Sequence, residues 1–147
     1  LLFGTDTATA NALDDYEEGL HTASIISGGG SITANSTNNK LSYTKVGNLV
    51  SISGRLDVSA VNSPSGTLYL TLPFAVASGV KKDAAVTLFI WAATSSAPET
   101  GLWIGWVSNG SSELYLRYGN ATNPSAAAAN AIQAGTEIRL SVSYQTS

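Results

Sequence analysis

The chain has 147 residues, 44% of them hydrophobic but only 12% charged, and a net charge of −3. That is the size of one domain with a buried core, and it excludes disorder, a coiled coil and the basic face that nucleic acid demands. With no cysteine, disulfides, Cys-ligated zinc and thiol catalysis are out, and no apolar run reaches the ~18 residues of a membrane helix.

The first 20 residues hold five of the ten acidic residues, Asp6, Asp14, Asp15, Glu17 and Glu18, and show no alternation. Small residues dominate from Thr5 to Ala12. Residues 1–20 therefore read as an acidic connector, and 21–147 as the folded domain. Methionine is absent even at the start, and no charged-then-apolar leader is visible, so a piece of a longer chain is expected.

Weak strand patterns fit 21–27 and 31–35, on either side of Gly28-Gly29-Gly30, and then 40–46. From there the dominant signal is period two. Val50, Ile52, Leu56 and Val58 alternate with Ser51, Ser53, Arg55 and Asp57. The cluster Asn62-Ser63-Pro64-Ser65-Gly66 reads as a turn, after which Leu68, Leu70 and Leu72 alternate with Thr67, Tyr69 and Thr71. Past Ser78-Gly79, Val86, Leu88 and Ile90 alternate with Thr87, Phe89 and Trp91. Ser95-Ser96-Ala97-Pro98 reads as the next turn, 102–108 as a weak strand, and Asn109-Gly110-Ser111-Ser112 as a hairpin turn. Leu114, Leu116 and Tyr118 then alternate with Glu113, Tyr115 and Arg117. The only helix-friendly stretch is Ser125 to Ala131, with four consecutive alanines and room for one or two turns at most. Last, Ile138, Leu140, Val142 and Tyr144 alternate with Glu137, Arg139, Ser141 and Ser143. Short strands with one wet face each predict an all-β fold: an antiparallel β-sandwich, jelly-roll-like, of about eight to nine strands.

Three segments carry a family likeness. The run Ala10-Asn11-Ala12-Leu13-Asp14-Asp15-Tyr16-Glu17-Glu18-Gly19 resembles the "LDDYEEG" segment that precedes a β-rich C-terminal domain in many bacteriophage tail fibre and tailspike proteins. Leu41-Ser42-Tyr43-Thr44-Lys45-Val46-Gly47-Asn48-Leu49-Val50 is similar to that family's turn and alternating strand, and Leu72-Pro73-Phe74 to its "LPF" step. The likeness covers the first half of the chain and is looser in the second. Family members often continue "EEGTWTP" where this chain has Gly19-Leu20-His21-Thr22-Ala23, so the Trp and Pro of that corner are missing. The resemblance implies the distal domain of a trimeric fibre or spike on the virion. Its partners would be two further copies of the chain and a host surface polysaccharide or lipopolysaccharide. It implies no cofactor, nucleic acid or membrane insertion. Because the family's proteins are made in a reducing cytoplasm, zero cysteines fits.

Candidate chemistry is thin. His21 is the lone histidine and no G-x-S-x-G elbow exists, so nothing selects a Ser-His-Asp triad and His21 reads as structural or solvated. Tailspikes are often glycan hydrolases, but in that family the hydrolase usually occupies an upstream β-helix. Among the acids outside the connector, Asp57, Asp83, Glu99, Glu113 and Glu137, no pair is singled out, and Asp57 and Glu137 lie beside Arg55 and Arg139 like surface charge pairs. The acidic run 14–18 lacks the alternating ligands and mid-loop Gly of a calcium loop and reads as solvated or subunit-contacting. Gly28–Gly30 has no following Lys or helix to cradle phosphate. The sequons at Asn35, Asn109 and Asn120 mark only surface loops. The expectation is a protein that is not an enzyme and binds no metal.

The aromatic residues are more informative. By parity, Trp106 shares a face with Leu102 and Ile104, and Tyr118 with Leu114 and Leu116, so both are expected in the core. Tyr69, Phe89, Trp91, Trp103 and Tyr115 fall on the opposite face, where large rings need a partner. Either sugars stack on them, with Arg117 among the hydrogen-bond donors, or neighbouring subunits bury them. Phe89 and Trp91 fit a trimer interface; Trp103, Tyr115, Arg117 and Tyr69 fit ligand contact. The expected function is host attachment by a non-enzymatic trimeric tip, through weak sites made strong by multivalency. The alternative is a purely structural trimerisation cap or virion decoration domain.

Overall fold

A computed structural model describes residues 15–79, 83–93, 102–120, 123–125 and 127–147. Among these, nine strands follow in order: β1 (Tyr16–Thr22), β2 (Ile25–Ala34), β3 (Lys40–Val46), β4 (Leu49–Thr71), β5 (Ala84–Trp91), β6 (Leu102–Val107), β7 (Glu113–Asn120), β8 (Asn123–Ser125) and β9 (Glu137–Gln145). The alanine-rich stretch forms a single 3-10 turn, Ala128–Ala131. No described helix is long and apolar enough to cross a membrane. The loop Ser95–Pro98 and Glu99 lie outside the described residues.

All strand pairings are antiparallel, and five strands close on themselves in the order β4-β9-β5-β6-β7-β4. In place of the expected antiparallel, jelly-roll-like β-sandwich, five strands form a closed barrel, with β2 and β3 paired to β4, β1 to β3 and β8 to β7. The reason lies in two strands that serve both halves. β4 pairs with β9 through Leu49–Asp57 and with β7 through Leu68–Thr71. β5 pairs with β6 through Ala84–Val86 and with β9 through Thr87–Trp91. Alternation reports faces and not strand order, so it reads the same in a sandwich and a barrel.

β4 runs unbroken for 23 residues through the segment expected to turn at Asn62–Gly66. β2 likewise runs through Gly28–Gly30. The two punctuated segments lie opposite each other, and β4 takes up one extra residue at each of three register shifts along β2. Residues that end strands elsewhere here form bulges, which twist and bend the ribbon. Gly30 sits at φ +66°, where an added Cβ would come within 2.1 Å of the Ser63 carbonyl oxygen.

The core is what the alternation selects. Val50, Ile52, Leu56, Leu68, Leu70, Leu114, Leu116, Ile138, Leu140 and Val142 are buried, together with Tyr118 and Tyr144. Val86, Leu88 and Ile90 pack against them from β5. Ala128, Ala129 and Ile132 belong to the same cluster.

The boundary expected at residue 20 falls inside β1. Tyr16–Gly19 pair with Tyr43–Val46 of β3, so two of the family-like segments are adjacent strands. Tyr43 donates its hydroxyl to Glu17 (2.7 Å) and meets Phe74 edge-on at 5.3 Å. Tyr144 in turn donates to the Phe74 carbonyl (2.9 Å). The third segment, Leu72-Pro73-Phe74, therefore converges on the same corner.

Candidate functional site: an aromatic row across the barrel wall

On the outer surface of β2, β4, β7, β6 and β5, five residues stand directly opposite one another in turn. Ile26 pairs with Tyr69, Tyr69 with Tyr115, Tyr115 with Trp106, and Trp106 with Ala85. The row exists because four independent registers agree, each locked by a buried residue on the neighbouring position. Tyr69 and Tyr115 meet edge to face, with centroids 5.0 Å apart and planes at 82°. Trp106 stacks on Tyr115 at 5.3 Å and 14°. Arg117, one face-position further along β7, lies over the Trp106 ring with its guanidinium carbon 5.2 Å from the centroid. Thr67, Tyr69, Trp106, Ser108, Tyr115 and Arg117 border a cleft of about 290 Å³. Flat rings, hydroxyls and one guanidinium beside a shallow cleft suit a polar ligand with flat apolar faces.

The structure brings together Tyr69, Tyr115 and Arg117, which were expected on this face, but exchanges the two β6 tryptophans. Trp103 pairs with Tyr118, its ring 4.9 Å away, and packs against the core; Trp106 is outward. The cause is the composition of β6, Leu-Trp-Ile-Gly-Trp-Val, which is apolar at both parities apart from glycine. Period two carries no face information there. Gly105 faces inward opposite Leu116, where an added Cβ would meet Leu116 Cδ2 and Val86 Cβ at 3.1 Å. Leu102 and Ile104, expected inside, are exposed. The signal that identifies Trp106 is the hairpin register: the turn at Asn109-Gly110 sets Val107 opposite Leu114, and β7's parity is unambiguous.

A second surface lies on the other half of the barrel. Phe89 and Trp91 are 53% and 62% exposed and stacked at 6.5 Å, opposite Arg139 and Glu137 of β9. Beside them Arg55 bonds Asp57 (2.6 Å) and Glu137 (3.1 Å), and Arg139 bonds Glu137 (2.9 Å). Asp57 also accepts from Asn38 Nδ2 (2.7 Å), and its carboxyl is held below the usual carboxylate range chiefly by the Arg55 hydrogen bonds.

His21, Glu18 and Asp83 have structural partners. His21 Nε2 lies 3.0 Å from the Thr71 carbonyl and 3.1 Å from its hydroxyl, tying β1 to β4. Glu18 accepts from Tyr16, and Asp83 accepts from the Asn109 N–H (2.8 Å). Among the described residues no three His, Asp or Glu side chains converge as a metal site would require.

No family model matches the sequence, and no curated protein matches it. Among solved structures, the crystal structure of Dettilon tailspike protein is similar, with a TM-score of 0.73 and 16% identity. The match covers 88% of this chain and 24% of that one, so the chain spans about a quarter of the tailspike's length. At that identity the likeness shows a shared fold.

Proposed function

We propose that this chain is a non-enzymatic distal domain of a phage tail fibre or tailspike, trimeric on the virion, that attaches to a host surface glycan. The observation that carries the reading is the row Tyr69–Tyr115–Trp106 with Arg117 beside its cleft. Sugars place C–H faces on aromatic rings and hydroxyls on polar neighbours, and this surface offers both. The tailspike-like fold and the three family-like segments support the placement on a tail. Phe89 and Trp91 are the proposed contact between subunits.

Five of the described carboxylates are held by other groups, which supports binding over hydrolysis. Asp57 and Glu137 are engaged by arginines, Glu17 and Glu18 by tyrosines, and Asp83 by a backbone N–H. The second reading, a structural cap without a ligand, is favoured by the exposed Phe89–Trp91 pair, which needs only a neighbouring subunit.

The deciding experiment measures binding of the purified chain to a panel of bacterial surface polysaccharides, beside its Trp106→Ala variant. Binding that the variant loses, with mass and fold unchanged, supports attachment. Absence of binding together with a trimer supports the cap, and release of reducing ends from the polysaccharide would overturn the non-enzymatic reading.

A further inference from the structure

We infer that the cleft beside Trp106 selects an acidic saccharide, with Arg117 receiving its carboxylate or phosphate; this rests on the glycan-attachment reading. The chain has three arginines. Arg55 and Arg139 are bound to Asp57 and Glu137 at 2.6 and 2.9 Å. Arg117 differs: among the described residues no carboxylate comes within 4 Å of it, and its contact is the Trp106 ring. A guanidinium stacked on an aromatic ring keeps edge N–H donors for a planar or tetrahedral anion, and the ring restricts its freedom before the ligand arrives. Glu113 lies on the same face of β7, but two positions beyond Tyr115, opposite Thr71. The positive charge is thus placed at one end of an uncharged aromatic row, bordered by Thr67 and Ser108 hydroxyls that suit neutral sugar hydroxyls.

In a chain of net charge −3, Arg117 is, among the described residues, the arginine without a carboxylate partner, and it borders the cleft. An acidic sugar seated with its ring on Trp106 or Tyr115 would place its anion against Arg117 and make charge-assisted hydrogen bonds. A neutral sugar would keep the stacking and lose those bonds.

The test is an array of oligosaccharides containing uronates, sugar phosphates and their matched neutral parents, probed with the whole chain, Arg117→Gln, Arg117→Lys and Trp106→Ala. We expect the acidic members to bind about tenfold better than their neutral parents, as hydrogen bonds to charged groups suggest. Arg117→Gln should abolish that preference, Arg117→Lys should keep part of it, and the uronate and phosphate arms identify which acid is read. Equal binding of acidic and neutral members, or a preference that survives Arg117→Gln with the fold intact by circular dichroism, would overturn the inference while attachment stands. Binding to no member would overturn both.

Discussion

The ring of Tyr43 occupies the space in which a side chain on Gly19 would stand: a Cβ there would lie 2.8 Å from the tyrosine Oη and 3.0 Å from Cε1. The glycine that closes the "YEEG" run is therefore the platform for a tyrosine of the next family-like segment. Gly19→Ala should displace Tyr43 and with it the bond to Glu17 and the edge contact with Phe74. A Tm lower by a few degrees, with a new exposed-tyrosine signal in near-ultraviolet circular dichroism, is the expected result.

Glycines with similar φ should differ in cost according to what surrounds them. A Cβ added at Gly30 (φ +66°) would lie 2.1 and 2.3 Å from the Ser63 and Asn62 carbonyl oxygens, whereas one at Gly47 (φ +58°) would meet nothing within 4 Å. Gly47→Ala should cost about 1 kcal/mol from backbone strain alone, and Gly30→Ala about 3 kcal/mol or more, because backbone must move as well. Urea unfolding of both variants measures the difference.

The two β6 tryptophans should part company when each is truncated. Trp103→Ala removes a ring packed on Tyr118 and the core, with an expected loss of about 3 kcal/mol. Trp106→Ala removes a surface ring stacked on Tyr115 and should cost about 1 kcal/mol. Equal losses in chemical denaturation would contradict the inward–outward assignment.

Stability should fall at both ends of the pH scale for separate reasons. Burial pushes the Tyr144 phenol up to about 12 while its hydroxyl donates to the Phe74 carbonyl. Its folded value lies above the unfolded one, so its contribution is complete below about pH 10 and is lost between about 10 and 12. Tyr144→Phe should flatten that alkaline decline; Tyr16 and Tyr43, shifted upward by their Glu18 and Glu17 hydrogen bonds, remain. Asp57 shifts the other way, so its contribution is present above about pH 4 and is lost as pH falls through its depressed value. Thermal melts of Asp57→Asn against the parent chain, from pH 7 down to 2, should converge at the acid end.

If Phe89 and Trp91 meet a neighbouring subunit, the purified chain should scatter light as about three times its own mass, from the proposed trimer. Changing both to Ser should give the monomer with its strand content intact. A parent chain that is monomeric at every concentration tested would count against that contact for the domain alone.

Sequence alone determined the all-β class and the inward residues of the well-patterned strands. Where polar and apolar residues strictly alternate, as in 50–58, 113–118 and 137–144, only one face can be buried, so the buried set is legible without a partner. It also marked Tyr69, Tyr115 and Arg117 as outward. Tertiary pairing decided the rest. The Gly28–Gly30 and Asn62–Gly66 segments look like turns, because glycine and proline weaken any isolated strand; facing each other, they become bulges. The extra residues bend β4 between the two halves of a closed barrel. β6, apolar on both sides, takes its facing from the register with β7, and that register puts Trp106 in the outer aromatic row and packs Trp103 against the core. The aromatic row itself spans residues 26 to 115 and depends on four strand pairings, which no local pattern encodes.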